Sequence, residues 1–291
     1  MRITNQMQAS YVTRSLQSNL ARIAELQEQG TSGRRLTRAS SDPSSAADAL
    51  AVRNQLATER QYDRNIANGD GWLATLDSAL GTVTDIVQRA RDLALQGASD
   101  TTSPEAREAI AQELGELRDE LLRQSGTTYL GRTVFAGTSD EGVAFRDDYS
   151  YTGTPGSGVE RRVGADTTVR VDADGAAVFG EGAGSVFALL DTMAADLRAG
   201  TWSGDHVAAV DARLDAVLAQ HTTVGARQNT LERAADTNLG VRTGLESRRA
   251  AIEDVDIAEL AIDLQLKQVA YQATLNIGAS VLQPTLMDYL R

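Results

Sequence analysis

The residues best placed to do chemistry in this 291-residue chain are Asp172, Asp174 and Glu181. Asp172-Ala173-Asp174-Gly175, with Glu181 six positions beyond the glycine, has the spacing of the back half of a calcium loop. There, alternating carboxylates and a closing glutamate surround a hard cation. Arg170 stands where the first ligand belongs, and the flanking residues alternate as in a strand, so a turn between strands is the better reading. Gly180, Gly182 and Gly184 precede a helix start at Ser185 and faintly suggest a phosphate cradle. The third glycine of G-x-G-x-x-G is missing and no lysine follows, which favours a plain connector. His206 and His221 belong to no H-E-x-x-H motif, and no G-x-S-x-G nucleophile elbow occurs. His221 falls on a helical seam, where a packed imidazole is the ordinary outcome. Asp147-Asp148 could flank a glycosidic bond, but acid pairs are common on any acidic surface. With no cysteine, disulfides, thiolate metal sites and cysteine nucleophiles are all excluded. No enzyme, cofactor or metal site is expected.

The elements that would position these residues are mostly helical. The formal net charge of -12 makes nucleic acid an unlikely partner, because an acidic chain repels phosphate unless it carries a concentrated basic stripe. Hydrophobic residues make up 42% and aromatics only 4%, so the core must come from Ala, Leu, Val and Ile, which suits close-packed helices. The four prolines, Pro43, Pro104, Pro155 and Pro284, leave two long windows free of helix breakers. No apolar run approaches the roughly 20 residues of a membrane span, and the opening residues are too polar for a secretory signal.

Residues 2–38 place Ala9, Val12, Leu16, Asn19, Ile23 and Leu26 on one helical seam, interrupted at Ser32-Gly33. Ser41-Asp42-Pro43 restarts a helix with a capping side chain before a proline. Its seam, Gly69, Leu73, Leu76, Leu80, Val83, Val87, Ala90 and Ala94, alternates steps of three and four as in a coiled coil. Ser103-Pro104-Glu105 opens a third helix through Ile110, Leu114, Leu117 and Leu121. From 126 to 184 the chain turns rich in Gly, Thr and Asp, with short alternating runs at Tyr149-Ser150-Tyr151, Val169-Arg170-Val171 and Val178-Phe179. Turn signals at Gly153-Thr154-Pro155-Gly156 and Asp174-Gly175 separate those runs, which predicts a small antiparallel β insert.

Helical periodicity returns at Ser185. Val210, Leu214, Val217, His221, Val224, Gln228, Leu231, Ala235 and Asn238 form the next seam. Its phase breaks at Glu253-Asp254 before Ile262, Leu266, Val269 and, near the end, Leu282. Such a break predicts a hinge between two helical layers. Val12, Leu16, Ile23, Leu26, Ile262, Leu266, Val269 and Leu282 are therefore the candidate interface residues, and Ser32, Gly33, Glu253 and Asp254 the candidate hinge. These terminal seams need each other or neighbouring subunits. An intramolecular bundle that buries everything fits the periodicity equally well. Arg34-Arg35 with Arg38, and Arg248-Arg249, lie near the two breaks and could meet acids such as Glu253-Asp254, although solvated faces are the commoner outcome.

Several stretches, taken in order, carry a resemblance to a known family. They are Met1-Arg2-Ile3-Thr4-Asn5-Gln6-Met7, Leu26-Gln27-Glu28-Gln29-Gly30-Thr31-Ser32-Gly33-Arg34-Arg35-Leu36, Ser40-Ser41-Asp42-Pro43 and Trp72 to Leu80. Arg89 to Ala98, Gly131-Arg132-Thr133-Val134-Phe135-Ala136-Gly137-Thr138, Ile252 to Ala258, Gln272-Ala273-Thr274 and Leu286-Met287-Asp288-Tyr289-Leu290 complete the set. The chain resembles the flagellin superfamily, and within it the branch at the hook–filament junction. Thr31 and Ser40 depart from the family pattern without changing the turn chemistry, and contacts of the short insert cannot be carried over.

The resemblance implies a mainly α fold with a small β insert, a long helical coiled-coil bundle formed by paired N- and C-terminal segments. Residues 1–40 and 253–291 would pair as an inner axial layer, 41–132 and 185–252 would form a helical rod, and 133–184 an outer β-rich domain. The two chain breaks would then fall together at the layer boundary. Implied partners are a ring of the chain's own copies, the first hook-associated protein on the hook side and flagellin on the filament side. Export through the flagellar type III apparatus, with a chaperone on the C-terminal region, is implied too, as is late ordering of the terminal segments on assembly. No nucleic acid or membrane enters. Flagellin itself is the nearest rival, and a cytoplasmic coiled-coil signalling module the rival from another class.

Overall fold

The computed structural model describes residues 5–99, 103–154 and 156–282. The chain forms two compact units, one from 1–58 with 242–291 and one from 59–241.

The second unit holds the main core. Helix α2 (Pro43–Gly97) enters it as one unbroken helix of 55 residues, about 80 Å at 1.5 Å per residue. Asp42 starts that helix by accepting from the Ser45 amide at 3.0 Å and the Ser44 hydroxyl at 2.7 Å. Those bonds hold its carboxyl down at about 2. Every residue of the seam Gly69, Leu73, Leu76, Leu80, Val83, Val87, Ala90 and Ala94 is buried. Helix α6 (Asp205–Glu253) presents Val210, Val217, Val224, Leu231 and Asn238, all buried and each seven positions after the last. The half-buried residues of the same seam, Leu214, His221, Gln228 and Ala235, repeat with the same period, the signature of a coiled-coil face. Cross-helix pairs fix the register of α2 and α6: His221 Nε2 meets Asp77 Oδ1 at 2.8 Å, and Arg91 pairs with Asp211. Helices α3 (Pro104–Ser125) and α5 (Val186–Ala199) pack on each other, capped by Ser103 and Ser185.

Between α3 and α5 lie two hairpins: β1 (Thr128–Tyr129) with β2 (Arg132–Thr133), and β3 (Glu160–Arg162) with β4 (Thr168–Arg170), both antiparallel. The strand expected at Val178-Phe179 is instead a short helix, α4 (Gly175–Phe179). Asp174-Gly175 is its start rather than a hairpin turn, because the Asp174 carboxylate caps the Ala176 amide at 3.0 Å. Tyr149–Tyr151 contributes one isolated bridge, Phe145 to Tyr151, and no strand. Pro155, in the expected turn there, lies outside the described residues. All four phenylalanines, Phe135, Phe145, Phe179 and Phe187, are buried and meet in edge-on and stacked contacts 5.1–5.6 Å apart. The insert thus adds its side chains to the helical core and builds no separate core.

The first unit contains α1 (Asn5–Ser32), the start of α2, the end of α6, and α7 (Ile257–Leu282), with α1 and α7 packed along each other. No helix among the described residues is long and apolar enough to cross a membrane.

Candidate assembly interface

The chemistry-bearing residues resolve into structural roles. The Asp172 carboxylate is wholly buried, taken up by Arg170 Nε at 2.8 Å and the Val159 amide at 2.9 Å. Arg227 donates to the Asp172 carbonyl at 2.7 Å, and burial pushes that guanidinium below its ordinary value. Asp174 is occupied as a helix cap. No group of three or more His, Cys, Asp or Glu among the described residues could hold a metal ion. His206, buried, meets Asp196 Oδ2 at 2.7 Å beside the Trp202 ring. The connector Gly180–Gly184 closes on itself: Gly180 takes φ +79°, and Arg213 donates to the Gly184 carbonyl at 2.9 Å.

What remains is the paired surface of α1 and α7. Two glycines set their distance of approach. A Cβ on Gly30 would lie 3.0 Å from the Leu260 side chain, and one on Gly278 would lie 2.7 Å from Val12 Cγ1. Glycine costs about 1 kcal/mol against alanine inside a helix, so close approach is the physical reason for both. The contacts stand eighteen residues apart on each helix and in opposite order, which makes the pair antiparallel and in register throughout. On α1 the face so defined carries Val12, Leu16, Asn19 and Ile23, half-buried, with Leu26 3% exposed. On α7 it carries Leu260, Leu264, Tyr271, Thr274 and Gly278.

That inner face differs from the seam read off α7 in the sequence. Ile262, Leu266 and Val269 lie about half a turn away and are 62%, 60% and 58% exposed. Helix α7 is apolar on both sides, so periodicity alone finds two seams with equal claim. Met7 and Tyr11 of α1 are likewise exposed. Leu282 closes α7, and its side chain lies outside the described ones, as do residues 1–4 and 283–291 with the terminal motifs they carry.

The two breaks in the helical pattern meet. Helix α1 ends at Ser32, and Gly33 takes φ +67°, the left-handed conformation that closes helices at low cost to glycine. The Arg35 amide donates to the Glu253 carbonyl at 2.8 Å and the Val255 amide to the Gly33 carbonyl at 3.2 Å, around an antiparallel bridge between Arg34 and Asp254. Gln29 Nε2 reaches the Arg35 carbonyl at 3.0 Å, and the Arg35 guanidinium donates to the Ile252 carbonyl at 3.1 Å. Asp256 caps the start of α7 through the Ala258 amide at 2.8 Å. Of the basic spots, Arg35 thus binds main chain and Arg38 faces Glu28 at 3.7 Å, while the carboxylate of Glu253 is taken by Arg53 at 2.7 Å. That bond, with Arg249 and Arg34 nearby, lowers the Glu253 pKa against the opposing effect of burial. Arg53 was invisible to sequence reading, since nothing local marks one exposed arginine of α2 as the partner of a residue two hundred positions away. Gly30 and Gly278 were legible in principle, as isolated glycines inside helical patterns.

Comparison with known proteins agrees with this architecture. Residues 3–140 match the family model of the bacterial flagellin N-terminal helical region. The chain is 25% identical to flagellar hook-associated protein 3 of Escherichia coli, over 94% of this chain and 95% of that one. It is 27% identical to the flagellar filament 30.7 kDa core protein of Treponema maltophilum, over 96% and 95%. A putative flagellar hook-associated protein from Vibrio parahaemolyticus shares the fold, with a TM-score of 0.65 at 21% identity, covering 74% of this chain and all of that one. Over nearly its whole length the chain is thus similar both to hook-associated protein 3 and to flagellar filament proteins.

Proposed function

We propose that the chain is a structural subunit of the bacterial flagellum that joins the hook-associated ring to the flagellin filament and is needed for filament attachment and swimming. One observation carries the reading: α7 seats one apolar face on α1 and leaves Ile262, Leu266 and Val269 in water. A helix apolar on both sides is stable in water only with a second partner. In a ring of identical copies each subunit supplies that partner to the next. Residues 1–40 and 253–291 then form the inner layer, 41–132 and 185–252 the helical rod, and 133–184 the outermost part. Of the interface candidates, Val12, Leu16, Ile23 and Leu26 hold the pair together, while Ile262, Leu266, Val269 and Leu282 meet other copies. Ser32, Gly33, Glu253 and Asp254 form the joint between layers.

The first hook-associated protein and flagellin are the neighbours at either end of the ring. The subunit leaves the cell through the flagellar type III apparatus, held beforehand by a chaperone on its C-terminal region, and acts outside the cell at the hook–filament junction. It supplies contact area rather than catalysis. Flagellin is the second reading, favoured by the equal likeness to filament core proteins. Deleting the gene distinguishes the two. Loss of a junction subunit leaves hooks on the cell and flagellin monomer in the medium, and shortened but attached filaments would overturn the proposal. Complementation with Ile262→Asp and Leu266→Asp combined should fail to restore swimming although the protein is still made.

A further inference from the structure

The outward faces of α1 and α7 carry charge of opposite sign. Met7, Tyr11, Arg14 and Ser18 are spaced by four and three residues, so they share one stripe of α1, turned away from the inner face of Val12, Leu16 and Ile23. Met7 and Tyr11 are 66% and 74% exposed there. On α7, Glu259, Ile262, Leu266 and Val269 form the outward stripe, with Asp263 on its flank. From Met1 to Ala24 every charged side chain is an arginine, and from Glu253 to Leu266 every one is a carboxylate. Arg22 is taken by Glu25 at 2.6 Å, whereas Arg14, Glu259 and Asp263 are exposed and form no ion pair among the described residues.

Within one chain these charges miss each other. Gly30 lies at Leu260 and Gly278 at Val12, so Glu259 and Asp263 stand beside the first contact and Arg14 beside the second. Arg14 and Asp263 are therefore about thirteen residues apart along the antiparallel pair, roughly 20 Å. A second copy displaced along the axis by that distance brings them level. The same displacement sets Tyr11 level with Leu266, and Met7 within a residue of Val269, because the two stripes then run antiparallel in one register. One shift thus matches the free charges and the uncovered apolar residues together. Two α7 faces brought against each other would instead add acid to acid and leave Met7 and Tyr11 in water.

We propose that the α1 stripe of Met7, Tyr11 and Arg14 in one copy packs on the α7 stripe of Asp263, Leu266 and Val269 in the next, antiparallel and shifted along the helix axis. A contact between unlike faces repeats from copy to copy and closes as a ring or extends as a helix. The proposal rests on the reading of the outward α7 face as a contact between copies, and it names the surface that covers that face.

The chain has no cysteine, so engineered thiols report without background. A full-length chain carrying both Arg14→Cys and Asp263→Cys is expressed in the deletion strain and oxidised with copper-phenanthroline. Its own two thiols are too far apart to join, since a disulfide needs Cα atoms within about 7 Å. Sheared flagella, medium and cell bodies are all scored. The expected product is a ladder of disulfide-linked oligomers that neither single cysteine gives. Absence of the ladder from every fraction, or equal dimers from one single cysteine, overturns the proposal. Loss of swimming in the Ile262→Asp, Leu266→Asp chain without a ladder leaves contact between copies standing and refutes its α1–α7 form. A ladder in cells that keep attached filaments when the gene is deleted upholds the contact and refutes the junction role. Charge exchange is the second test, with both positions exposed and free of the fold. Arg14→Glu and Asp263→Arg alone should each lower attached filaments about tenfold, and the two combined should restore them to within about twofold of the parent. Normal filaments in both single variants, or no recovery in the combined one, also overturns the contact.

Discussion

Replacing Asn238 by leucine should make the chain more stable. Asn238 occupies a heptad position otherwise filled by Val210, Val217, Val224 and Leu231, and it is 3% exposed. The substitution removes two hydrogen bonds, one of them to the Glu59 carboxylate, together about 2–4 kcal/mol. Against that, burying the leucine contributes about 1.5–3 kcal/mol. Losing the unpartnered Oδ1 relieves a further 1–3 kcal/mol, roughly. The freed Glu59 carboxylate is half exposed and can turn to water, and leucine has the same branched shape and number of side-chain heavy atoms as asparagine. The balance is about 1 kcal/mol in favour of leucine, or roughly 2–4 °C in melting temperature for a unit of this size. Urea unfolding followed by the fluorescence of buried Trp72 measures it. A loss of more than about 1 kcal/mol would refute the reasoning, because the asparagine bonds would then outweigh the buried, unsatisfied oxygen.

Phe179→Ala, at the centre of the four-phenylalanine cluster, should cost about 3–5 kcal/mol and expose the 140–182 segment to trypsin. Because the insert shares that core, replacing 140–182 with a short linker should lower the melting temperature sharply rather than leave the helices untouched. The Glu253 pKa is depressed in the folded chain, so its contribution is complete above the unfolded value near 4.5 and is lost as the pH falls through the lower folded value. Protection of the amides across 250–256, corrected for the intrinsic exchange rate at each pH, should therefore fall on acidification within that range, and Arg53→Ala should flatten this pH dependence; an unchanged profile would show that the Arg53 bond does not stabilise this segment. Gly278→Ala should weaken protection of α7 amides in the parent chain yet strengthen it beside Val12→Ala, because the stiff Val12 side chain creates the collision. Strengthening in both backgrounds would place Val12 away from Gly278.

The parts of the fold legible in the sequence were those whose signal repeats. The α6 seam returns every seven residues from Val210 to Asn238, and its partner on α2 is all apolar or glycine, so both faces could be read without knowing the fold. The two breaks that meet were legible for a different reason: Ser32-Gly33 and Glu253-Asp254 interrupt patterns that are otherwise continuous. Val178-Phe179 misled because two apolar residues fit a strand or one helical turn alike, and the Asp174 cap decides between them. Helix α7 misled more instructively. Its apolar residues lie all round, so the seam through Ile262, Leu266 and Val269 was as good as the one through Leu260 and Gly278, and only contact with α1 separates them.

The main-chain pairing at Gly33 and Asp254 also ties together two parts of the chain that are far apart in sequence. The chain passes this level twice, once from α1 toward α2 and once from α6 into α7, and main-chain hydrogen bonds tie the two passages. Each of the two bonds, Arg35 to Glu253 and Val255 to Gly33, runs from one passage to the other, so pulling either passage out of place breaks main-chain pairing of both.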